Sequence, residues 1–132
     1  MAATNFLFLK QLQNIWGHPA NKDSQFQAIG RSIKWWLNSR NSSTPIEVDF
    51  CGYKLLLYSD SFQTRGIVYY TPFHDYDSMR FVQRYLRPGD NFIDIGANIG
   101  EYTLLACSII GDSGSVSAFE PVPKTVDRLK EN

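Results

Sequence analysis

The chain has 132 residues, 43% hydrophobic and 14% aromatic, enough to bury the core of one small domain and compatible with a globular fold. Thirteen basic and thirteen acidic residues give zero formal net charge, so composition offers no reason to expect nucleic acid or an anionic membrane as an obligatory partner. The two cysteines, Cys51 and Cys107, lie far apart without metal-ligand spacing and read as packed thiols in a reducing compartment, with no metal site expected.

The opening MAATNFLFLKQLQ has a short apolar run with no basic residue before it, too weak for a signal peptide or a membrane span, and a cytoplasmic location is expected. Phe6, Leu9, Leu12, Ile15 and Trp16 recur at helical spacing until Gly17 and Pro19 break the run. Phe26, Ile29, Ile33, Trp36 and Leu37 form a second stripe predicted to face a core, with Asn21, Asp23 or Ser24 as its cap. At least one of Trp35 and Trp36 should pack inside. A polar linker over 41–44 follows. Beyond Pro45, Ile46, Val48 and Phe50 alternate toward a Cys51–Gly52 turn and a return strand from Tyr53 to Tyr58, which predicts a hairpin. Gly66 to Tyr70 reads as a further strand. Asp75 to Leu86 reads as a helix with Met79, Val82 and Leu86 on one side. His74, in the acidic and aromatic loop TPFHDYD, and His18 beside Pro19 read as satisfied loop residues, and Tyr76 and Asp77 as residues at a helix start.

The stretch from Asn91 to Gly100, NFIDIGANIG, carries the chemistry. Phe92, Ile93 and Ile95 predict a strand buried on both faces of a parallel sheet. Asp94 interrupts that run, and a carboxylate near the end of a buried strand needs a partner or a polar site. Gly96 and Gly100 permit backbone angles and close approach that a Cβ forbids, and Asn98 between them suits either the left-handed region or a helix cap paired with Glu101. Tyr102 to Ile110 then reads as an apolar helix stopped by Gly111–Gly114, and Val116 to Phe119 as a second strand. Strand, helix and strand make a βαβ unit, whose ligands lie beyond the carboxyl ends of the strands. Glu120, twenty positions after Gly100, is thereby predicted beside the glycine turn, where a carboxylate can accept both hydroxyls of a ribose. A dinucleotide site wants GxGxxG and an open helix end for the pyrophosphate. This chain lacks the third glycine, and Glu101 puts negative charge where a diphosphate would sit. A cationic ligand such as S-adenosylmethionine suits that acidic rim better.

The segments LRPGDNFID, DIGANIGEYTLLA, GDSGSVSAFEPVPKT and RLKEN together resemble the FkbM-type family of S-adenosylmethionine-dependent methyltransferases, strongly over about Leu86 to Asn132 and only loosely over 10–85. The resemblance implies an α/β fold, the start of a Rossmann-like class I methyltransferase sheet preceded by two helices and a β-hairpin. It divides the chain into a helical lead-in (1–44), a hairpin, strand and helix (45–85) and a cofactor-binding domain (86–132). It implies that Asp94, Gly96, Asn98 and Gly100 line the methionine side of the cofactor and that Glu120 holds the ribose, with Ala97, Tyr102 and Pro121 also at the cofactor. A small-molecule or glycan hydroxyl would be the methyl acceptor, and no residue is identified as the catalytic base. Methyltransferases of this kind have a seven-stranded sheet, so the resemblance implies an N-terminal piece of an incomplete domain, inactive alone, whose open sheet edges invite self-association. Two rival readings are a non-catalytic interaction protein that pairs those edges with a partner and a nicotinamide-dependent enzyme.

Overall fold

The computed structural model describes residues 2–38, 44–70 and 73–132. The side chains of residues 1–8, 38 and 62, Phe6 among them, lie outside that description, as do most of the expected linker (41–43) and the first two residues of the TPFHDYD loop. The protein is α/β: helices α1 (Ala2–Gly17) and α2 (Gln25–Asn38), strands β1 (Ile46–Phe50) and β2 (Tyr53–Leu57), helices α3 (Phe62–Tyr70) and α4 (Tyr76–Tyr85), strand β3 (Asn91–Ile95), helix α5 (Glu101–Ile110), strand β4 (Ser115–Phe119) and helix α6 (Pro123–Glu131). Single 3-10 turns at Pro19–Asn21 and Gly111–Ser113 follow α1 and α5. Two units form, one from residues 1–45 and 58–76, the other from 46–57 and 77–132.

In the first unit α2 packs against α1 and α3. Ile15, Ala28, Trp35, Ile67, Val68 and Phe73 supply its buried apolar residues. Asn21 is fully buried and is no cap of α2. Its Nδ2 donates to the Ile15 carbonyl at 2.8 Å and to the Tyr69 carbonyl at 2.7 Å, tying the end of α1 to the end of α3.

Two sequence expectations fail in this unit. The segment Gly66–Tyr70, read as a strand, is the second half of helix α3. Thr64, Ile67 and Val68, spaced i, i+3, i+4, are its buried face, a period too short to register in a five-residue apolar run. The last carbonyls of a helix lack intrahelical donors, and here Arg31 Nε (3.3 Å to Val68 O) and Asn21 supply them from outside. The stripe on α2 is also reversed: Ala28, Ser32 and Trp35 face inward, while Phe26, Ile33, Trp36 and Leu37 are exposed. Of the tryptophan pair, Trp35 is the one that packs inside.

The second unit holds both sheets. The β1–β2 hairpin is antiparallel, with Ile46 opposite Leu57 and Phe50 opposite Tyr53. Its turn residues Cys51 and Gly52 have φ of 52° and 87°, as two-residue hairpin turns of the favoured hand require. Lys54 bridges Glu47 and Asp49 on the exposed face, a contact of little energetic weight. Strands β3 and β4 pair in parallel, Asn91 opposite Ser115 and Ile95 opposite Phe119, with α5 between them in sequence and packed on both strands and on β2. Leu86, Ala106 and Ile110 form a core with Val82, Phe92, Ile109 and Val116 packed around it. Burial of β3 on both faces is not observed. Phe92 and Asp94 turn toward α5, whereas Ile93 and Ile95 are exposed, because α5 covers one face of the pair and no described element covers the other.

Candidate functional site

The carboxyl ends of β3 and β4 converge on a loop, residues 96–100, whose backbone is fixed almost atom by atom. The Phe119 carbonyl, at the end of β4, accepts from Gly96 N at 2.8 Å and Ala97 N at 3.0 Å. Gly100 N closes a tight turn onto the Ala97 carbonyl at 2.9 Å, and Leu104 N onto the Gly100 carbonyl at 2.8 Å starts α5. Three residues of the loop occupy the left-handed region: Gly96 (φ 83°), Asn98 (φ 51°) and Gly100 (φ 99°). Asn98 takes the left-handed role, and Gly100 is the residue at the helix N-cap.

The two glycines do different work. A Cβ on Gly96 would meet nothing within 4 Å, so open space lies over the loop there. A Cβ on Gly100 would come within 2.9 Å of Leu129 Cδ1, so Gly100 admits α6 to the loop. Asn132, just past α6, strengthens that junction: its Nδ2 donates to the Ile99 carbonyl at 2.8 Å while its Oδ1 accepts from Leu56 N of β2 at 2.6 Å.

Glu120 follows β4 directly. Its Oε2 accepts from Asn98 N at 3.0 Å and its Oε1 from Val122 N at 2.9 Å, so the carboxylate spans the space between the loop after β3 and the segment after β4. Each oxygen keeps a further lone pair, and the side chain is half-buried. Asp94 is 7% exposed on β3, and Thr103 Oγ1 donates to its Oδ2 at 2.6 Å. A second carboxylate, Glu101, is buried in the first turn of α5, where the helix dipole favours negative charge. Ala97 is buried, Tyr102 half-buried in the first turn of α5, and Pro121 exposed beside Glu120.

The structure therefore gathers Asp94, Gly96, Ala97, Asn98, Gly100 and Glu120 around one loop, with Tyr102 and Pro121 at its margins. Sequence reasoning missed Thr103, Val122, Leu129 and Asn132. Thr103 falls two residues after Glu101 with no motif of its own, and the other three act through a backbone N–H (Val122), a packing contact (Leu129) or a side-chain amide just past α6 (Asn132), none of which a residue pattern signals. Among the described residues no group of three or more His, Cys, Asp or Glu could hold a metal ion, and no helix is long and apolar enough to cross a membrane. Cys51 and Cys107 are free and partly buried. Burial raises the Cys51 thiol above its ordinary range, against a smaller opposing effect of the Ser108 hydrogen bond.

Comparison with known proteins returns no matching family model, no matching curated protein and no matching solved structure.

Proposed function

We propose that the loop of residues 96–100 and Glu120 form the cofactor site of an S-adenosylmethionine-dependent methyltransferase of the FkbM type, built on a Rossmann-like sheet. The observation that carries the reading is Glu120, a half-buried carboxylate held by Asn98 N and Val122 N at the carboxyl ends of two parallel strands. Such a group can accept the two hydroxyls of a ribose. The open space over Gly96 leaves room for a ligand to lie against the loop backbone. The buried carboxylates Asp94 and Glu101 favour a cationic ligand over a diphosphate.

In this reading the cofactor supplies an electrophilic methyl group on a sulfonium. The protein's part is to orient it: Glu120 fixes the ribose, Gly96 and Ala97 present backbone to the methionine portion, and Asp94 contributes negative charge beneath the loop. Holding an acceptor hydroxyl in line with the methyl would supply most of the acceleration. The acceptor is a hydroxyl of a small molecule or glycan. Glu120→Ala should weaken S-adenosylmethionine binding by about 1.5–3 kcal/mol, the usual loss for hydrogen bonds to a charged group. Calorimetry measures this, with urea unfolding of the variant alongside to separate loss of a ligand contact from loss of the fold. Unchanged affinity in a folded variant would remove Glu120 from the site, and tighter binding of a nicotinamide dinucleotide would replace the reading.

A second reading, a non-catalytic interaction protein, is favoured by one observation: Ile93, Ile95 and Phe119 lie exposed on the side of the β3–β4 pair away from α5. A defined oligomer in light scattering, with no binding of either cofactor, would support it.

A further inference from the structure

Covalent geometry leaves the Ile99–Gly100 peptide loosely constrained, because glycine at position 100 permits its φ of 99° without enforcing it. Two hydrogen bonds supply the constraint. Gly100 N donates to the Ala97 carbonyl at 2.9 Å within the loop, and the Ile99 carbonyl accepts from Asn132 Nδ2 at 2.8 Å, from just past α6. Both ends of one peptide plane are thereby held, one by the loop itself and one by a residue far along the chain.

The distant residue brings the hairpin into the loop's geometry. Asn132 closes α6 through its backbone N–H, which donates to the Arg128 carbonyl at 3.2 Å, and its side chain is left for another use. The Oδ1 of that side chain accepts from Leu56 N of β2 at 2.6 Å. Strand β2 is a firm reference point: Leu55 and Leu57, on either side of Leu56, are fully buried, and the strand packs on α5. A primary amide suits both contacts because it donates and accepts at once, and its two partners, a carbonyl and an N–H, fix which end faces which. A carboxylate of the same size would keep Leu56 N and set a second acceptor against the Ile99 carbonyl. Onward from Ile99 the path is short. The preceding residue, Asn98, donates its N–H to Glu120 Oε2 at 3.0 Å, the carboxylate assigned above to the ribose.

We propose that Asn132 is a positioning residue: its amide sets the Ile99–Gly100 peptide against β2 and thereby aims the Asn98 N–H that holds Glu120. Its effect on ligand affinity rests on the cofactor reading above, whereas the coupling of the loop to the hairpin rests on the hydrogen bonds alone. Linkage makes that coupling reciprocal, so a ligand that orders the loop also strengthens the Asn132 contact with β2. The hairpin, which lies before the βαβ unit in sequence and contributes no residue to the loop, is in this way part of what shapes the site.

Asn132→Asp tests it, being close in size and able to keep the Leu56 contact while losing the donor to Ile99. In the variant the Asn98 and Gly100 amides should exchange with solvent about tenfold faster, measured against the Leu105 and Ala106 amides inside α5. S-adenosylmethionine should bind about tenfold more weakly in calorimetry, with the urea midpoint followed alongside. In the unsubstituted protein the same ligand should shift the Leu56 amide signal in nuclear magnetic resonance, and that shift should vanish in the variant. Exchange at Gly100 that rises only in step with Leu105 and Ala106 would overturn the proposal, since a merely structural contact loosens the whole unit together. Unchanged affinity in a folded variant would overturn it as well. Should Asn132→Asp not fold, Asn132→Leu, which removes both contacts without adding charge, undergoes the same measurements with the same deciding outcomes. If the unsubstituted protein binds no S-adenosylmethionine, the cofactor reading fails by itself, and the exchange comparison alone decides whether Asn132 positions the loop.

Discussion

Gly100 shows how one residue serves both the loop and the packing around it. Two penalties would meet a Cβ there: a left-handed backbone at φ 99°, and an approach of 2.9 Å to Leu129 Cδ1. The first costs about 1–2 kcal/mol and cannot be relieved by a neighbour, whereas the second meets the end of a flexible side chain that can turn away. Backbone strain should therefore dominate. Gly100→Ala is expected to lower stability by about 1–2 kcal/mol in urea unfolding, and most of that loss should persist when Leu129 is also changed to Ala. Recovery of full stability in the double variant, relative to Leu129→Ala alone, would show that packing and not the backbone sets the requirement. Asn98 at φ 51° was legible as a left-handed residue because few side chains other than Asn tolerate that region. A helix cap was equally compatible with the sequence.

At the scale of elements, the helix α2 was legible in its existence and wrong in its facing. Apolar residues occur on both of its sides; periodicity gave the stripe of Phe26, Ile29, Ile33, Trp36 and Leu37, and all of these but Ile29 turned outward. Ala28 and Ser32 are small enough to let α1 and α3 approach closely, a property that hydrophobicity does not rank. Stability should read this facing directly. Trp35→Ala, which empties a site 5% exposed, is expected to cost about 3–5 kcal/mol, and Trp36→Ala about 0.5 kcal/mol. Thermal or urea unfolding of the two single variants measures the contrast, and equal costs would place both rings in the core. Helix α3 was misread because five residues sample less than one and a half turns. Its helical state is supported by the Asn21 and Arg31 donors at its end, which come from far along the chain. The βαβ unit was readable throughout, since an apolar helix between two short strands bounded by glycine turns admits few other arrangements.

At the scale of the molecule, the outer side of the β3–β4 pair is an exposed apolar surface. Ile93 and Ile95 are 62% and 85% exposed, with Phe119 opposite Ile95 at 58%, and clustered apolar side chains beside unpaired strand edges promote association. Ile93→Lys is expected to leave the unfolding free energy within about 0.5 kcal/mol while lowering concentration-dependent association in sedimentation or light scattering. Association that continues undiminished would assign it to another surface, and the outward face of α2 would be the next to change.

The sequence by itself determined the order of most elements, the hairpin with its Cys51–Gly52 turn, and the position of Glu120 next to the glycine loop. These features rest on local rules: period, turn chemistry and the fixed geometry of a βαβ unit. Only the tertiary structure decided which face of α2 is buried, that Gly66–Tyr70 is helical, and that β3 is covered on one side. Each of those depends on which distant side chain or surface arrives at a given place. Asn21 reaching the end of α3, or Leu129 reaching Gly100, is a contact between residues far apart in the chain, and no window along the sequence contains both partners.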